Sequence, residues 1–198
     1  MPEGIVLIVE NDPERVETDL AAGLVACPRC GGRLACWSFA RRRTLRGEAG
    51  PLVVRPRRGR CRSCRSTHVL LPDVALLRRV DAASVIGRAL MDAAAGAGHR
   101  RIAGRLARPA STVRGWLRRL RSAAARIAAH FVAWAARLDP NLGPVAPAGN
   151  ALADAAEAIG VAARAASLRL GPRSAFSWMS ALSAGRLISN TNSPWLAA

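Results

Sequence analysis

The most regular apolar pattern of the chain lies between residues 81 and 122 and predicts three helices. Apolar side chains recur three and four residues apart, the spacing that lines one face of a helix. We interpret this region as a trihelical helix-turn-helix unit, although any small three-helix bundle would share the pattern. The three stripes are Val85, Ile86, Ala89, Leu90 and Ala93, then Ile102, Ala103 and Leu106, then Val113, Trp116, Leu117 and Leu120.

The third stripe continues without proline through Ala124, Ile127, Phe131, Trp134 and Leu138, which predicts one long helix. A connection rich in Pro, Gly and Asn follows at residues 139–150. A second stripe then begins, and its equal spacing allows either an antiparallel hairpin within one chain or a homodimer seam. We favour the hairpin, and both can coexist as a four-helix assembly. The second stripe is Leu152, Ala156, Ile159, Ala163, Ala166 and Leu170.

Residues 1–72 are patterned differently and predict short strands. Residues 5–10 predict a strand that completes the core, and an acidic, poorly patterned stretch follows. Residues 27–68 are rich in turn-forming glycines, with strand-like pieces at residues 34–39 and 52–55. The last 28 residues are loosely patterned, and Trp195 is expected to pack into the core.

Two Cys-x-x-Cys pairs, Cys27 with Cys30 and Cys61 with Cys64, frame this turn-rich region. Four thiolates in tight turns are typical of one structural, tetrahedral Zn²⁺ site, and no position is left open for a substrate. The alternative is free cysteines buried as small apolar side chains. His68 is a weaker candidate to replace one thiolate. Cys36 is expected to pack beside Trp37 rather than to bind metal.

These patterns predict a mainly α fold with a small β zinc ribbon. We expect an N-terminal strand and acidic segment (1–26), a four-cysteine zinc ribbon (27–72), a trihelical helix-turn-helix (81–122) and a C-terminal helical region containing the hairpin (123–198). With so little apolar sequence between the cysteine pairs, the ribbon should lose its fold without metal.

The net charge of +17 is concentrated in the middle of the chain, and all 30 basic residues are arginines. Residues 27–139 hold 25 arginines and five acids, whereas residues 1–26 hold one arginine and six acids. Positive charges in such excess repel one another. Contacts with phosphates relieve this repulsion, and the release of counterions from the nucleic acid also favours them. The charge therefore favours nucleic acid over an acidic membrane or protein surface. The absence of lysine indicates a GC-rich coding bias, so part of the arginine content reflects codon composition.

The third helix is the predicted reader of DNA. Pro109 fits the start of a helix, which places Ser111 and Thr112 in the first turn. With the apolar stripe turned inward, Arg114 and Arg118 lie one turn apart on the outer face. We expect base contacts from Ser111, Thr112, Arg114 and Arg118, and phosphate contacts from Arg119 and Arg121, from His99, Arg100 and Arg101, and from the ribbon arginines Arg41, Arg42, Arg43, Arg46, Arg55, Arg57, Arg58 and Arg60.

Four motifs together resemble the N-terminal DNA-binding part of bacterial insertion-sequence transposases, in particular an uncharacterised family of actinobacterial zinc-ribbon helix-turn-helix proteins. They are Cys-Pro-x-Cys-Gly-Gly from residue 27, Cys-x-x-Cys-x-x-Thr-His-x-Leu-Leu-Pro from residue 61, Gly-His-Arg-Arg-Ile-Ala from residue 98 and Ser-Thr-Val-Arg-Gly-Trp-Leu from residue 111. The likeness covers about residues 25–122, and the tail Asn-Thr-x-Ser-Pro-Trp at 190–195 also resembles that family. It implies DNA binding through the ribbon and the recognition helix.

The resemblance brings no activity with it. Such transposases continue into an RNase H-like domain whose three acidic residues hold two metal ions. Only Asp139, Asp154 and Glu157 lie beyond residue 122, in a linker or helical context, so we expect no transposase reaction. The chain also lacks a recognisable nucleophile-base pair, which argues against an enzyme.

Two functions therefore remain open from the sequence. The first is a sequence-specific double-stranded DNA-binding protein, either a transcriptional regulator or a transposase-derived protein. The second is a non-catalytic accessory subunit of a transposition or recombination enzyme that docks through residues 124–198. The sequence shows no leader segment and no uninterrupted membrane-length apolar run, so we expect a cytoplasmic, nucleoid-associated protein without a membrane partner.

Overall fold

Two small sheets form the first half of the chain in the computed structural model, which describes residues 5–189. The strands are β1 (Val6–Val9), β2 (Leu34–Phe39), β3 (Arg43–Arg46), β4 (Pro51–Val54), β5 (Arg57–Cys61) and β6 (Thr67–Pro72). Four of them make a mixed sheet in the order β1-β6-β5-β2, with β1 parallel to β6 and the other pairs antiparallel. Strands β3 and β4 form a separate antiparallel hairpin. The strands predicted near residues 5–10, 34–39 and 52–55 are confirmed as β1, β2 and β4.

The acidic stretch after β1 contains a helix that the sequence prediction missed, α1 (Pro13–Ala21). The Asp12 carboxylate caps it by accepting from the backbone amides of Glu14 and Arg15 at 3.0 and 3.1 Å, and Pro13 occupies the first helical position. The helix buries Val16 and Leu20 against the four-stranded sheet. The small core there consists of Val16, Leu20, Cys27, Leu34, Cys61 and Leu70.

Five further helices build the second half: α2 (Ala83–Ala94), α3 (His99–Arg105), α4 (Ala110–Leu138), α5 (Ala151–Leu170) and α6 (Ala175–Leu182). The apolar stripes predicted for α2, α3 and the start of α4 are buried, except that Leu106 is only partly covered. All five helices contribute to one large core. No helix among residues 5–189 is long and apolar enough to cross a membrane.

The long helix is confirmed, because α4 runs unbroken for 29 residues across the expected boundary at residue 122. It packs against α5 within the same chain, as the hairpin prediction requires. The α4 positions Ala124, Ile127 and Phe131 are buried in this contact region, so the stripe proposed for a dimer seam is covered intramolecularly. Leu170, by contrast, is 56% exposed, and its assignment to the buried stripe is wrong because α5 ends there.

Helix α6 lies in the segment that had no clear sequence pattern. The Ser174 hydroxyl caps it by accepting from the Ser177 amide at 3.0 Å. Trp178, Met179 and Leu182 are buried in the main core. The hydroxyl of buried Ser180 donates to the Ala75 carbonyl at 2.7 Å, which ties this helix to the segment that follows β6. The predicted role of Trp195 and the motif at 190–195 lie outside the described residues.

Helices α2 and α6 pack so closely at Gly87 that one added methyl group should destabilise the protein. A Cβ on the buried Gly87 would lie 2.2 Å from a ring carbon of Phe176. We expect Gly87→Ala to destabilise the protein by about 1–3 kcal/mol, measured by urea unfolding. Gly104→Ala in α3 is the matched control, because nothing lies within 4 Å of that position. It should be neutral or stabilising, and equal effects of the two changes would contradict the packing.

Candidate functional site

The four cysteines of the two Cys-x-x-Cys pairs lie together, with all four sulfur atoms within 4.8 Å of one another. The Sγ atoms of Cys27 and Cys64 are 3.7 Å apart, and those of Cys30 and Cys61 are 3.5 Å apart. Ligands of a tetrahedral metal with metal–sulfur bonds of about 2.3 Å are separated by about 3.8 Å. The cluster therefore has the donor set and spacing to hold a metal ion, with Cys27 and Cys61 buried and Cys30 and Cys64 exposed.

Each cysteine pair sits in the same kind of tight turn. The amide of Gly31 donates to the Cys27 carbonyl at 2.8 Å, and the amide of Arg65 donates to the Cys61 carbonyl at 3.2 Å. Gly31 and Arg65 each follow the first cysteine of their pair by four residues, and both have a positive φ, 72° and 61°. The two turns thus present their sulfur atoms in equivalent ways.

Gly32 allows the two turns to approach one another. A Cβ at this position would meet the Ser63 hydroxyl oxygen at 2.6 Å and the Cys61 sulfur at 3.2 Å. Its carbonyl also accepts from the Cys27 amide at 2.7 Å. The Gly-Gly that follows the first pair in the sequence is therefore part of the geometry that brings the four thiols together.

The thiols do not ionise alike. The hydroxyl and then the amide of Ser66 hydrogen-bond to Cys64 and help lower its pKa to about 6. For Cys30, the Gly32 amide lowers the pKa, but the neighbouring thiols of Cys61 and Cys64 outweigh it and raise the pKa to about 11. Four adjacent thiols do not all ionise easily, because the negative charges of neighbouring thiolates repel one another. A bound divalent cation would compensate for this repulsion.

His68 lies beside the cysteine cluster without belonging to it. Its buried ring places Nε2 3.3 Å from Cys27 Sγ and Nδ1 3.3 Å from the Ile5 carbonyl oxygen. A hydrogen bond between His68 and the Cys27 sulfur would help to orient that thiolate toward a bound metal ion. The four sulfurs supply a complete tetrahedral set without it.

Cys36 lies outside the four-cysteine cluster, and its thiol donates to the Glu17 carboxylate of α1 at 3.1 Å. Burial and the Glu17 carboxylate both raise the pKa of Cys36. This thiol therefore stays protonated near neutral pH and apart from the cluster.

Several arginines are bound to acids inside the molecule. Asp81 is buried and accepts from Arg46 of β3 and from Arg108, each at 2.7 Å. Arg108 lies in the joint between α3 and α4, and also donates to the carbonyl of Gly47 at 3.0 Å. The joint is thus fixed to the turn of the β3–β4 hairpin. Sequence patterns did not indicate this, because the partners are 27 and 61 residues away.

A second group of arginines has no acidic partner within salt-bridge distance among residues 5–189. It lies at the start of α3 and on the first turns of α4, where Arg100, Arg101, Arg114 and Arg118 are all exposed. Ser111 is also exposed at the first turn of α4, and Thr112 is half-buried. The half-buried Arg119 donates to the Gly115 carbonyl of its own helix at 3.1 Å.

Among the ribbon arginines predicted to contact phosphates, Arg57 and Arg58 have different surroundings. Arg57 is half-buried and donates to the Ser38 carbonyl at 2.8 Å and to Glu17 at 3.3 Å, so its guanidinium already connects β5 with β2 and α1. Arg58 is exposed, as are Arg41, Arg42, Arg43 and Arg55. Arg55 and Arg57 both lie over the Phe39 ring, 4.4 Å from its centre.

Comparison with known proteins gives one match. A family model described as "Domain of unknown function (DUF6431)" matches residues 27–116. The match begins at the first cysteine of the cluster and ends in α4, so it contains the four cysteines, Asp81, Arg108 and the exposed arginines up to Arg114. No curated protein and no solved structure matches the chain. Over residues 27–116 the chain is therefore similar to a family whose description assigns it no function.

Proposed function

We propose that this protein binds double-stranded DNA in a sequence-specific manner, with α2, α3 and α4 acting as a helix-turn-helix unit. The observation that carries the proposal is the group of exposed arginines on α3 and α4 that has no acidic partner in the described chain. Elsewhere acids pair with some of the arginines, as Asp81 does with Arg108 and Glu17 with Arg57. Exposed arginines without such partners are suited to neutralise phosphates and to donate hydrogen bonds to the edges of guanine bases.

The start of α4 is the proposed recognition element. Val113, Trp116 and Leu117 are buried and fix the rotation of the helix about its axis. That rotation leaves Ser111, Arg114 and Arg118 toward solvent, one turn apart along the helix. In this proposal Arg100 and Arg101, at the start of α3, contact the phosphate backbone, as the helix before the recognition helix does in helix-turn-helix proteins. Arg119 and Arg58 are further phosphate contacts in this proposal.

Zinc is the metal we propose for the cysteine cluster. Four thiolates at tetrahedral spacing are typical of structural zinc, and they leave no position for a substrate or water. The metal would hold the two turns together, and with them the β2–β5–β6 part of the sheet that carries Arg58 and Arg60. In this proposal the ribbon supports DNA binding and performs no catalysis.

We expect Arg118 and Arg58 to make different kinds of contact with DNA. Arg118→Ala should weaken binding to the preferred duplex by about 1–3 kcal/mol and relax sequence choice, because a base contact is lost. Arg58→Ala should weaken binding to all duplexes alike and reduce the salt slope by about one, because a phosphate contact is lost. Fluorescence anisotropy with preferred and scrambled duplexes over a salt series measures both effects.

The charge-matched control for this pair is Arg164→Ala. Arg164 is exposed on α5, so its removal lowers the net charge by the same amount without removing any residue assigned to the proposed interface. It should leave duplex affinity nearly unchanged. Equal losses for Arg118→Ala and Arg164→Ala would show that only net charge matters, and would overturn the assignment of α4 as the reader.

A further inference from the structure

Trp37 is the one tryptophan among the described residues whose ring is largely exposed. Trp116 and Trp178 are 3% and 4% exposed, and Trp134 is partly buried against the main core, whereas Trp37 is 55% exposed. Exposing an indole forfeits the stabilisation that burial would give. A large exposed aromatic side chain in a strongly basic region is a feature of surfaces that stack nucleobases.

The backbone around Trp37 aims the side chain outward. Strand β2 is an edge strand of the four-stranded sheet. Its pairing with β5 passes from Cys36–Gly59 directly to Ser38–Arg58, so Trp37 has no partner residue and forms a β-bulge. Bulges at sheet edges redirect a side chain and end regular pairing. The bulge thus carries an exposed indole that lies beside Arg60 of the neighbouring strand β5.

Arginines complete the surface around the ring. The Arg60 guanidinium lies over the indole, 4.5 Å from the ring centre, and the exposed Arg58 lies on the same strand. Neither has an acidic partner within salt-bridge distance in the described part of the chain. The site thus combines a flat aromatic surface with cationic groups, which matches a base and its phosphate. An acidic protein segment would use the guanidinium groups but gain little from the indole face.

We infer that Trp37 and Arg60 form a binding site for an unpaired nucleobase of single-stranded DNA. The inference rests on the proposed function in taking DNA as the partner, but it assigns a different substrate form to a different surface. The start of α4 binds paired DNA, and the bulged edge of β2 stacks a base that is out of the duplex. The protein therefore suits a junction between duplex and single strand.

The test uses full-length, zinc-loaded protein and two probes, a labelled oligothymidylate and a labelled duplex, followed by anisotropy. Trp37→Leu keeps an apolar side chain and removes the aromatic face, whereas Trp37→Phe keeps a smaller aromatic face. We expect Trp37→Leu to weaken oligothymidylate binding about tenfold, with Trp37→Phe losing much less and duplex binding unchanged in both. Val53→Ala, at another exposed apolar position of the ribbon, is the control and should change neither.

The outcomes separate this inference from the proposed function. Oligothymidylate binding that is insensitive to Trp37→Leu overturns the inference, as do equal losses on both probes or equal losses in the Leu and Phe variants. Competition by polyglutamate as strong as by unlabelled oligothymidylate would assign the surface to an acidic protein instead. Arg114→Ala combined with Arg118→Ala should reduce duplex binding alone. Without that reduction the proposed function fails, while the Trp37 dependence on single strands can still hold.

Discussion

If the cysteine cluster holds the proposed metal ion, its removal should unfold the ribbon and leave the helical core folded. The ribbon contributes only seven buried apolar side chains, divided between two small clusters, and two of them, Cys27 and Cys61, are ligands in the proposed site. The helices share a core of about thirty buried side chains that includes Phe131, Trp116 and Trp178. Structural zinc contributes roughly 10–16 kcal/mol in peptides with comparable ligand sets, which exceeds what so small a core supplies.

Hydrogen exchange measured by mass spectrometry, with and without a chelator, resolves the two regions. Exchange should rise strongly across residues 27–72 on chelation and stay low in the buried parts of α4 and α5. Cys30→Ser, which removes an exposed ligand, should reproduce the effect, whereas Cys36→Ser should keep both metal and protection because Cys36 bonds to Glu17 instead. Protection of residues 27–72 that survives chelation would contradict the structural role of the metal.

Acidification should also release the proposed metal ion from the cysteine cluster. A ligand thiol must be deprotonated to bind, so protons compete with the metal as the pH falls. Cys64, whose pKa is about 6, ionises far more readily than Cys30, whose pKa is about 11 and whose ionisation at neutral pH would require a bound cation. Metal content should therefore be stable at neutral and alkaline pH and decline on acidification.

Asp81→Asn is the single substitution expected to cost the most stability outside the cysteine cluster. Asp81 is 2% exposed and its carboxylate holds Arg46 and Arg108 at 2.7 Å each. Asparagine keeps the size but leaves the Arg108 guanidinium, whose side chain is only 12% exposed, without a counterion. Removing one partner of a buried ion pair costs about 3–5 kcal/mol. Arg46 is nearly half exposed, so solvent screens its share.

Equilibrium unfolding in urea measures this cost, with Asp92→Asn as the matched control. Asp92 pairs with Arg105 at 3.2 Å, but Arg105 is 48% exposed, so that change should cost at most about 1 kcal/mol. Duplex affinity should also fall in Asp81→Asn, because Arg108 fixes the joint that precedes α4. Equal costs for the two substitutions would show that Asp81 does not anchor the joint.

The features that could be predicted from the sequence are those set by local spacing. Helices α2 to α5 follow from apolar side chains three and four residues apart, and the cysteine cluster follows from two Cys-x-x-Cys pairs. Helix α1 was missed because only Val16 and Leu20 supply its apolar face, although Asp12-Pro13 is a recognisable helix start. Strand β5 was hidden because three of its five residues are arginines, which suggested a basic loop.

Contacts between residues far apart in the sequence could not be predicted from the local spacing of apolar and polar residues. The parallel pairing of β1 with β6 joins residues more than sixty positions apart, and it makes the N-terminal strand part of the ribbon sheet. The Asp81 contacts likewise depend on how the β3–β4 hairpin meets the joint before α4. The internal role of Arg57 and the outward aim of Trp37 both follow from the register between β2 and β5, which the sequence does not specify.

Selection of bound duplexes from a random pool, by zinc-loaded protein at physiological salt and with a chelated sample alongside, shows whether this protein recognises a DNA sequence. We expect one enriched motif that weakens or disappears on chelation and in the Arg118→Ala variant. A palindromic motif would indicate two copies of the chain, joined through a surface other than the buried α4 stripe. Retention of duplexes without any enriched sequence, or no retention at all, would contradict the claim that this protein reads DNA.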